Sequence, residues 1–182
     1  MAAINWPNLL TVVRILLVPV LVVALLASAH EGDVFAAIVF AVASATDFVD
    51  GYLARSRNSV TTFGKLMDPL ADKLLIVAAL ISLVSLGRLQ AWVAMVIIAR
   101  ELAVTVLRLG ASQAGVIVPA SNFGKLKTCV QIVTILAVIA VHGRPTWLEV
   151  LVYAMVAITV ASGLDYFFGL RRRMTAAQRS RA

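Results

Sequence analysis

Long apolar runs constrain this chain more than any other feature of its sequence. Hydrophobic residues make up 62% of its 182 residues, and its mean hydropathy of +0.97 is too high for a soluble globule. Apolar runs of about twenty residues suit helices that cross a bilayer, and they are too long for the strands of a membrane barrel. We therefore predict an all-α membrane bundle in a single domain, residues 1–182 with a basic tail at 171–182. Its six transmembrane helices cover residues 8–28, 34–54, 63–86, 90–110, 123–142 and 147–170.

Four aspartates interrupt this apolar pattern within 26 residues. The pattern D-x2-D-G-x2-A-R-x8-G-x3-D-x3-D runs from Asp47 to Asp72. An aspartate deep in a bilayer costs roughly 2.5–3.5 kcal/mol, so a cluster of four requires compensation. A divalent-metal site explains the cluster best, because carboxylate oxygens are the ligands that Mg²⁺ and Mn²⁺ prefer.

Helical spacing predicts how the aspartates are arranged. Asp47 and Asp50 are three residues apart on the second span, and Asp68 and Asp72 are four apart on the third. The connection between these spans is short, so the two helices are antiparallel neighbours. Their polar faces then form an oxygen-rich cage near one membrane surface, which suits two Mg²⁺ or Mn²⁺ ions.

Small residues lie beside the aspartates in the pattern. Gly51, Ala54 and Gly64 remove side chains from the edge of the predicted cage, although glycine inside a helix costs about 1 kcal/mol relative to alanine. We interpret them as room for a bulky ligand, with close helix packing as the alternative. Arg55 lies one turn after Gly51 and can reach a phosphate held by the metals.

Positive charge indicates the orientation in the membrane. If the aspartates face the cytoplasm, 14 of the 16 Lys and Arg lie on that side, and only Arg88 and Arg144 lie outside. One of the 14, Arg14, interrupts the first predicted span. This distribution follows the positive-inside rule and places both termini in the cytoplasm. We expect a multi-pass protein of the cell (inner) membrane whose active site is at the cytoplasmic face, and whose net charge of +7 reflects topology and anion binding rather than nucleic-acid recognition.

The aspartate pattern matches all eight fixed positions of a known signature. On these residues the chain resembles the CDP-alcohol phosphotransferase family. Segments 5–14, 98–108 and 124–128, together with 68–73, are similar to the branch of that family that makes phosphatidylglycerophosphate. The resemblance implies a homodimer that transfers the phosphatidyl group of CDP-diacylglycerol to sn-glycerol 3-phosphate and releases CMP. Under this reading the metal ligands are Asp47, Asp50, Asp68 and Asp72, and the resemblance also supports Asp72 as the general base.

Further residues are candidates for binding the two substrates. For the donor, Asn8 and Thr11 can hydrogen-bond the cytidine or the diphosphate, although Asn8 is equally plausible as a helix cap. The family places a small hydroxyl at Thr61 near the nucleotide. The full donor set is Asn8, Thr11, Gly51, Ala54, Arg55, Thr61 and Gly64. For the phosphate of the acceptor we expect a basic set on the fourth and fifth spans, namely Arg100, Arg108, Lys125 and Lys127.

Simpler interpretations of these residues stay open. Each cation of the basic set, taken singly, can be a snorkelling anchor, and Glu101 most simply pairs with a neighbouring cation. The same chemistry can use another acceptor: phosphatidylglycerol to give cardiolipin, inositol phosphate, or serine. A cation or proton transporter would favour acids near mid-membrane and an internal repeat, and the sequence shows no such repeat. No Ser, Cys or His is placed to form a covalent intermediate, so we expect direct displacement.

Overall fold

The computed structural model describes residues 6–27, 30–57, 62–113 and 122–179, and side chains at 12–27, 33–46, 73–111, 113 and 123–174. Within these ranges the chain is all-helical, with six helices and no strand, which confirms the all-α part of the prediction. The helices are α1 (Trp6–Leu26), α2 (His30–Arg57), α3 (Thr62–Ser85), α4 (Ala91–Gln113), α5 (Asn122–Ala140) and α6 (Thr146–Arg179).

Two of these helices are long and apolar enough to cross a membrane, judged by length and composition over the described residues. Their apolar windows are Phe123–Ala140 in α5 and Thr146–Met174 in α6. Shorter apolar stretches occupy Val12–Leu26, Asp33–Thr46 and Lys73–Ser85. The chain is therefore a helical protein with membrane-spanning character, and the count of six spans stays a prediction.

The last helix continues beyond the predicted span. Residue 170 is the predicted end of the sixth span, whereas α6 extends to Arg179. The first part of this extension carries Arg171, Arg172 and Arg173, all exposed. An apolar run marks only the part of a helix that suits lipid, and arginine, alanine and glutamine continue a helix well in water.

A glycine ends α3. The amide of Gly87 donates to the carbonyl of Val84 at 3.0 Å, and the amide of Arg88 donates to the carbonyl of Leu83 at 2.9 Å. Gly87 has a φ of 67°, in the left-handed region that glycine adopts without a steric penalty. These bonds form a Schellman motif, which satisfies the last carbonyls of α3 and places Arg88 in the turn that follows.

The helices form two compact units. The first consists of Met1–Gln90 and Ile135–Gly143. In it α1 packs against α2 and α3, and α2 also packs against α3. Each of the three helices contributes fully buried apolar side chains, for example Leu21, Phe40 and Leu80. This unit contains the helices that carry the aspartate pattern.

The second unit consists of Ala91–Thr134 and Arg144–Ala182. Here α4 packs against α6. Their contact includes one buried cluster, formed by Val104, Ala111, Tyr166 and Leu170, with Leu107 packed against it. This unit contains the four cations of the predicted basic set.

An ion cluster ties together three segments of the first unit. Arg88 donates through Nη1 to Asp33 Oδ1 at 2.9 Å and through Nη2 to Oδ2 at 2.7 Å, and its Nη1 also donates to the carbonyl of Ile139 at 3.2 Å. His142 Nε2 lies 2.6 Å from Asp33 Oδ2. The hydrogen bond from Arg88 lowers the pKa of Asp33, which precedes the second predicted span, and this effect outweighs the rise that burial causes.

Candidate active site

The helix bounds place the aspartate pattern on two packed helices. Asp47 lies ten residues before the end of α2 at Arg57, and Asp72 lies ten residues after the start of α3 at Thr62. At 1.5 Å per residue, both positions are about 15 Å from the ends that the connecting segment joins. The same count places Asp50 and Asp68 at about 10 Å and 9 Å. The backbone thus places all four aspartate positions within about 15 Å of the ends that the connecting segment joins, on two helices that pack together, and their meeting in one cage stays a prediction.

Other predicted donor-binding residues occupy the same unit. Gly51, Ala54 and Arg55 lie on the last turns of α2, and Gly64 lies on the first turn of α3. Asn8 and Thr11 lie in the first two turns of α1, which packs against both of these helices. The side chains of these residues and of the aspartates lie outside those described, and Thr61 lies outside the described residues altogether.

The second unit places Arg100 between α4 and α6. Its Nη2 donates to Ser162 Oγ at 2.8 Å, and its Nη1 donates to Glu101 Oε1 at 3.3 Å. Nε is buried and has no hydrogen-bond partner among the described residues. The side chain is 14% exposed, so its charge is held in a largely desolvated position, where such bonds are stronger than in water.

A glycine makes room for this arginine. A Cβ atom at Gly163 would lie 3.2 Å from Arg100 Cγ and 3.7 Å from Nε. The first distance is shorter than an ordinary carbon–carbon contact, so only glycine lets the Arg100 side chain lie this close to α6. Neither Ser162 nor Gly163 was predicted from the sequence, because no local pattern links them to a residue about sixty positions earlier.

Glu101 pairs with two cations. It accepts hydrogen bonds from Arg100 and from Lys127 Nζ on α5. The prediction that Glu101 pairs with a neighbouring cation is confirmed. Lys127 is only 6% exposed, so it is a buried ion-pair partner rather than a snorkelling side chain. Lys125, two residues earlier on α5, is exposed.

Arg108 lies two turns beyond Arg100 on α4. Its guanidinium carbon is 5.7 Å from the centre of the Tyr166 ring, within the range of a cation–π interaction. Tyr166 is buried, and its hydroxyl has no hydrogen-bond partner among the described residues. Arg108 itself is exposed, so its charge remains available to an anion.

Three contacts show that α4 and α6 run in the same direction. Trp92 stacks on Tyr153 with ring centres 6.1 Å apart, and the Arg100 and Arg108 contacts on α6 follow in the same order along both helices. Alternate helices of an up-and-down bundle are parallel, so this pairing agrees with the predicted topology. Arg100 lies nine residues after Ala91 and thirteen before Gln113, near the middle of α4.

The aspartate positions suit a divalent ion. Four carboxylates at matched depth on packed helices supply only hard oxygen donors, which favour Mg²⁺ or Mn²⁺ over zinc. Among the side chains that the structure describes, no three His, Cys, Asp or Glu residues form a metal-binding group. The aspartates of the pattern stay the metal-ligand candidates that the sequence predicted, and Asp33 belongs to the separate cluster with Arg88 and His142.

The described residues thus form a helical protein with membrane-spanning character, and the four aspartate positions of the sequence pattern lie on two helices that pack together. The chain matches the CDP-alcohol phosphatidyltransferase family over residues 4–167 and belongs to it. This confirms the family resemblance of the sequence.

Curated relatives match most of the chain. The CDP-diacylglycerol–glycerol-3-phosphate 3-phosphatidyltransferase of Bacillus subtilis (strain 168) is 42% identical over 181 residues, which cover 90% of this chain and 93% of that protein. A probable phosphatidylglycerophosphate synthase of Mycobacterium tuberculosis (strain ATCC 25618 / H37Rv) is 47% identical, covering 89% and 79%. A Rickettsia felis protein with the same name as the Bacillus relative is 35% identical, covering 90% and 93%.

Proposed function

We propose that this protein transfers the phosphatidyl group of CDP-diacylglycerol to the primary hydroxyl of sn-glycerol 3-phosphate, giving phosphatidylglycerophosphate and CMP. The observation that carries this proposal is the complete eight-position aspartate pattern, which lies on two helices that pack together. Relatives that cover about nine tenths of the chain are named for this reaction, which favours glycerol 3-phosphate as the acceptor.

The aspartate pattern supplies the groups for the transfer. Asp47, Asp50 and Asp68 would hold Mg²⁺ or Mn²⁺, as two ions in the arrangement that four carboxylates favour, and Asp72 would share in that role. When bound, such ions neutralise the donor's diphosphate and the charge of departing CMP. Asp72 would also accept the proton of the acceptor hydroxyl as its oxygen bonds to the phosphorus of the phosphatidyl group. The bond from that phosphorus to the CMP oxygen then breaks, without a covalent intermediate.

The remaining donor contacts come from small and basic residues. Arg55 would bind the diphosphate, and Gly51, Ala54 and Gly64 would leave space for it. Asn8, Thr11 and Thr61 would hydrogen-bond the nucleotide or the diphosphate. The small residues and the cation thus complement a ligand that is both bulky and anionic.

The basic set would bind the phosphate of glycerol 3-phosphate. Arg100, Glu101 and Lys127 together carry one net positive charge, and Arg108 and Lys125 add two exposed positive charges. Glu101 holds Arg100 and Lys127 in place before the ligand arrives, which lowers the ordering cost of binding. A phosphate dianion matches this excess of positive charge better than a zwitterionic acceptor such as serine does.

The substrates require an interfacial location. Acyl chains need access from lipid, and glycerol 3-phosphate and CMP need access from water. We infer that the protein is a multi-pass homodimer of the cell (inner) membrane, with both termini and the active site at the cytoplasmic face. The positive-inside distribution of Lys and Arg supports this orientation.

A CMP-release assay tests the reaction and its acceptor together. Purified protein in mixed micelles receives CDP-diacylglycerol and Mg²⁺, with glycerol 3-phosphate, phosphatidylglycerol, inositol phosphate or serine offered separately. We expect CMP release with glycerol 3-phosphate and loss of that release with a chelator. Release with another acceptor alone would reassign the acceptor, and release with none would refute the reaction.

A further inference from the structure

A buried arginine lies in the first compact unit. Arg14 is 1% exposed and is the largest of the fully buried side chains. It lies on α1, on the same helix face as the buried Leu21 and Leu25. A charge inside a membrane span or protein interior is costly unless an opposite charge compensates it. The guanidinium therefore requires an anion close by.

The carboxylate described in this unit does not supply that anion. Among the described side chains of the unit, Asp33 is the one carboxylate, and both of its oxygens are bound by Arg88, with His142 on the second. Asp33 also lies 24 residues before the end of α2, about 36 Å along the helix, at 1.5 Å per residue. Arg14 lies eight residues after the start of α1, or about 12 Å. Since α1 and α2 are joined by three residues and pack side by side, both depths can be counted from that connection: Asp33 lies about 4 Å along α2 and Arg14 about 18 Å along α1, so the two are offset by about 13 Å.

The nearest aspartate position in depth is closer to Arg14 than Asp33 is. Counted from the α1–α2 connection at 1.5 Å per residue, Asp47 lies about 25 Å along α2 and Arg14 about 18 Å along α1, an offset of about 7 Å that is roughly half the offset to Asp33. Side chains of a helix lean toward its N-terminus, so Arg14 and Asp47 lean toward each other on these two helices. Since α1 packs against both α2 and α3, the aspartate set is the group of negative charges toward which the buried cation extends.

We propose that Arg14 is a positioning residue for the aspartate set. Its guanidinium balances part of the negative charge of the four carboxylates and orients them for metal binding. This role rests on the proposed function, because it takes the aspartates as metal ligands. Two divalent ions would cancel the four negative charges, and the charge of Arg14 would leave the loaded site positive, which favours an anionic donor.

Metal binding by the metal-free protein tests this role without turnover. Mn²⁺ is titrated into detergent-solubilised protein, and free Mn²⁺ is measured by electron paramagnetic resonance. Arg14→Gln removes a charge that repels Mn²⁺ as well as the group that orients its ligands. On our proposal orientation is the larger effect, so we expect the Kd for Mn²⁺ to rise roughly 10- to 100-fold, the usual effect of removing a group that orients metal ligands, and a lower Kd would contradict the proposal. Arg14→Lys keeps the charge but not the planar fork, so we expect a smaller rise.

Arg88→Gln is the matched control. It also removes a cation from an ion pair of the same unit, but at the opposite end. We expect both glutamine variants to lower the unfolding temperature. In Arg14→Gln, but not in Arg88→Gln, the unfolding temperature should partly recover when Mg²⁺ is added and the second substitution Asp72→Asn is made. The second substitution removes one of the carboxylates that repel each other.

Three results would overturn the proposal. Wild-type Mn²⁺ affinity in both Arg14 variants would remove the link to the metal site. An equal loss of affinity in Arg88→Gln would reduce the effect to general destabilisation. A raised KM for the donor at unchanged Mn²⁺ affinity would place Arg14 on the donor phosphates instead.

If Arg14→Gln does not fold, the comparison of Arg14→Lys with Arg88→Lys decides. Failure of CMP release with every acceptor would refute the reaction and leave the Mn²⁺ result standing.

Discussion

Substitution of Gly163 by alanine tests whether the position of Arg100 determines acceptor binding. The new Cβ would lie 3.2 Å from Arg100 Cγ, where ordinary carbon contacts are about 3.5–4.0 Å. Arg100 must therefore move by roughly half an ångström. Its 2.8 Å hydrogen bond to Ser162 then lengthens toward the limit of a useful bond.

The magnitude follows from that hydrogen bond. A bond to a charged group contributes about 1.5–3 kcal/mol, and a shift of this size forfeits about 1 kcal/mol of it. If Arg100 binds the acceptor phosphate, the same displacement raises the KM for glycerol 3-phosphate about fivefold. Alanine also favours the helix by up to about 1 kcal/mol over glycine, so the unfolding temperature should change little.

Gly169→Ala is the control for this experiment. Gly169 lies on the same helix, and a Cβ there would meet no atom within 4 Å. Initial rates of CMP release are measured at saturating CDP-diacylglycerol over a range of glycerol 3-phosphate concentrations, and then with the two substrates exchanged. We expect Gly163→Ala to raise only the acceptor KM, and Gly169→Ala to change neither. Identical kinetics for the two variants would show that Arg100 does not contact the acceptor.

Three further predictions concern other residues. Asp72→Asn should lower turnover by roughly 10²–10⁴-fold while the liponucleotide still binds, and wild-type rates would exclude Asp72 as the base. Arg100→Ala should raise the KM for glycerol 3-phosphate roughly 10- to 100-fold and the donor KM much less, whereas equal rises would indicate a structural role. The pKa of Asp33 is lowered below 3.8 in the folded protein, so its ion pair stabilises the fold above about pH 3.8 and this contribution disappears as the pH falls through the folded value. In detergent, the unfolding temperature should therefore fall as the pH is lowered, and Arg88→Met should make this fall smaller. If the unfolding temperature of that variant depends on pH as in the wild type, the assignment is contradicted.

The helices, including the two that carry the aspartate pattern, were the most predictable parts of this molecule. Apolar runs of about twenty residues predicted six helices, and the described residues form six. The spacing of the aspartates predicted antiparallel neighbours, and α2 and α3 pack together with Asp47 and Asp72 equally far from their joined ends. Both results depend on local periodicity and on a short connection, which a sequence displays directly.

Helix ends were less predictable than helix positions. The apolar run of the sixth span ends at residue 170, but α6 reaches Arg179. The extension at residues 171–179 is rich in arginine and not in apolar residues, so hydropathy does not predict it, although the helix propensity of its residues permits it.

What the sequence determined by itself is the helical membrane character, the family, and the acids and bases available for chemistry, because each depends on composition or on short spacing. Only the tertiary structure decided which charges meet. Arg100 with Ser162, Lys127 with Glu101, and Arg88 with Asp33 are pairs 26 to 62 residues apart. Such pairs depend on how helices pack and on where a glycine such as Gly163 leaves space. The local sequence around each residue determines neither of these.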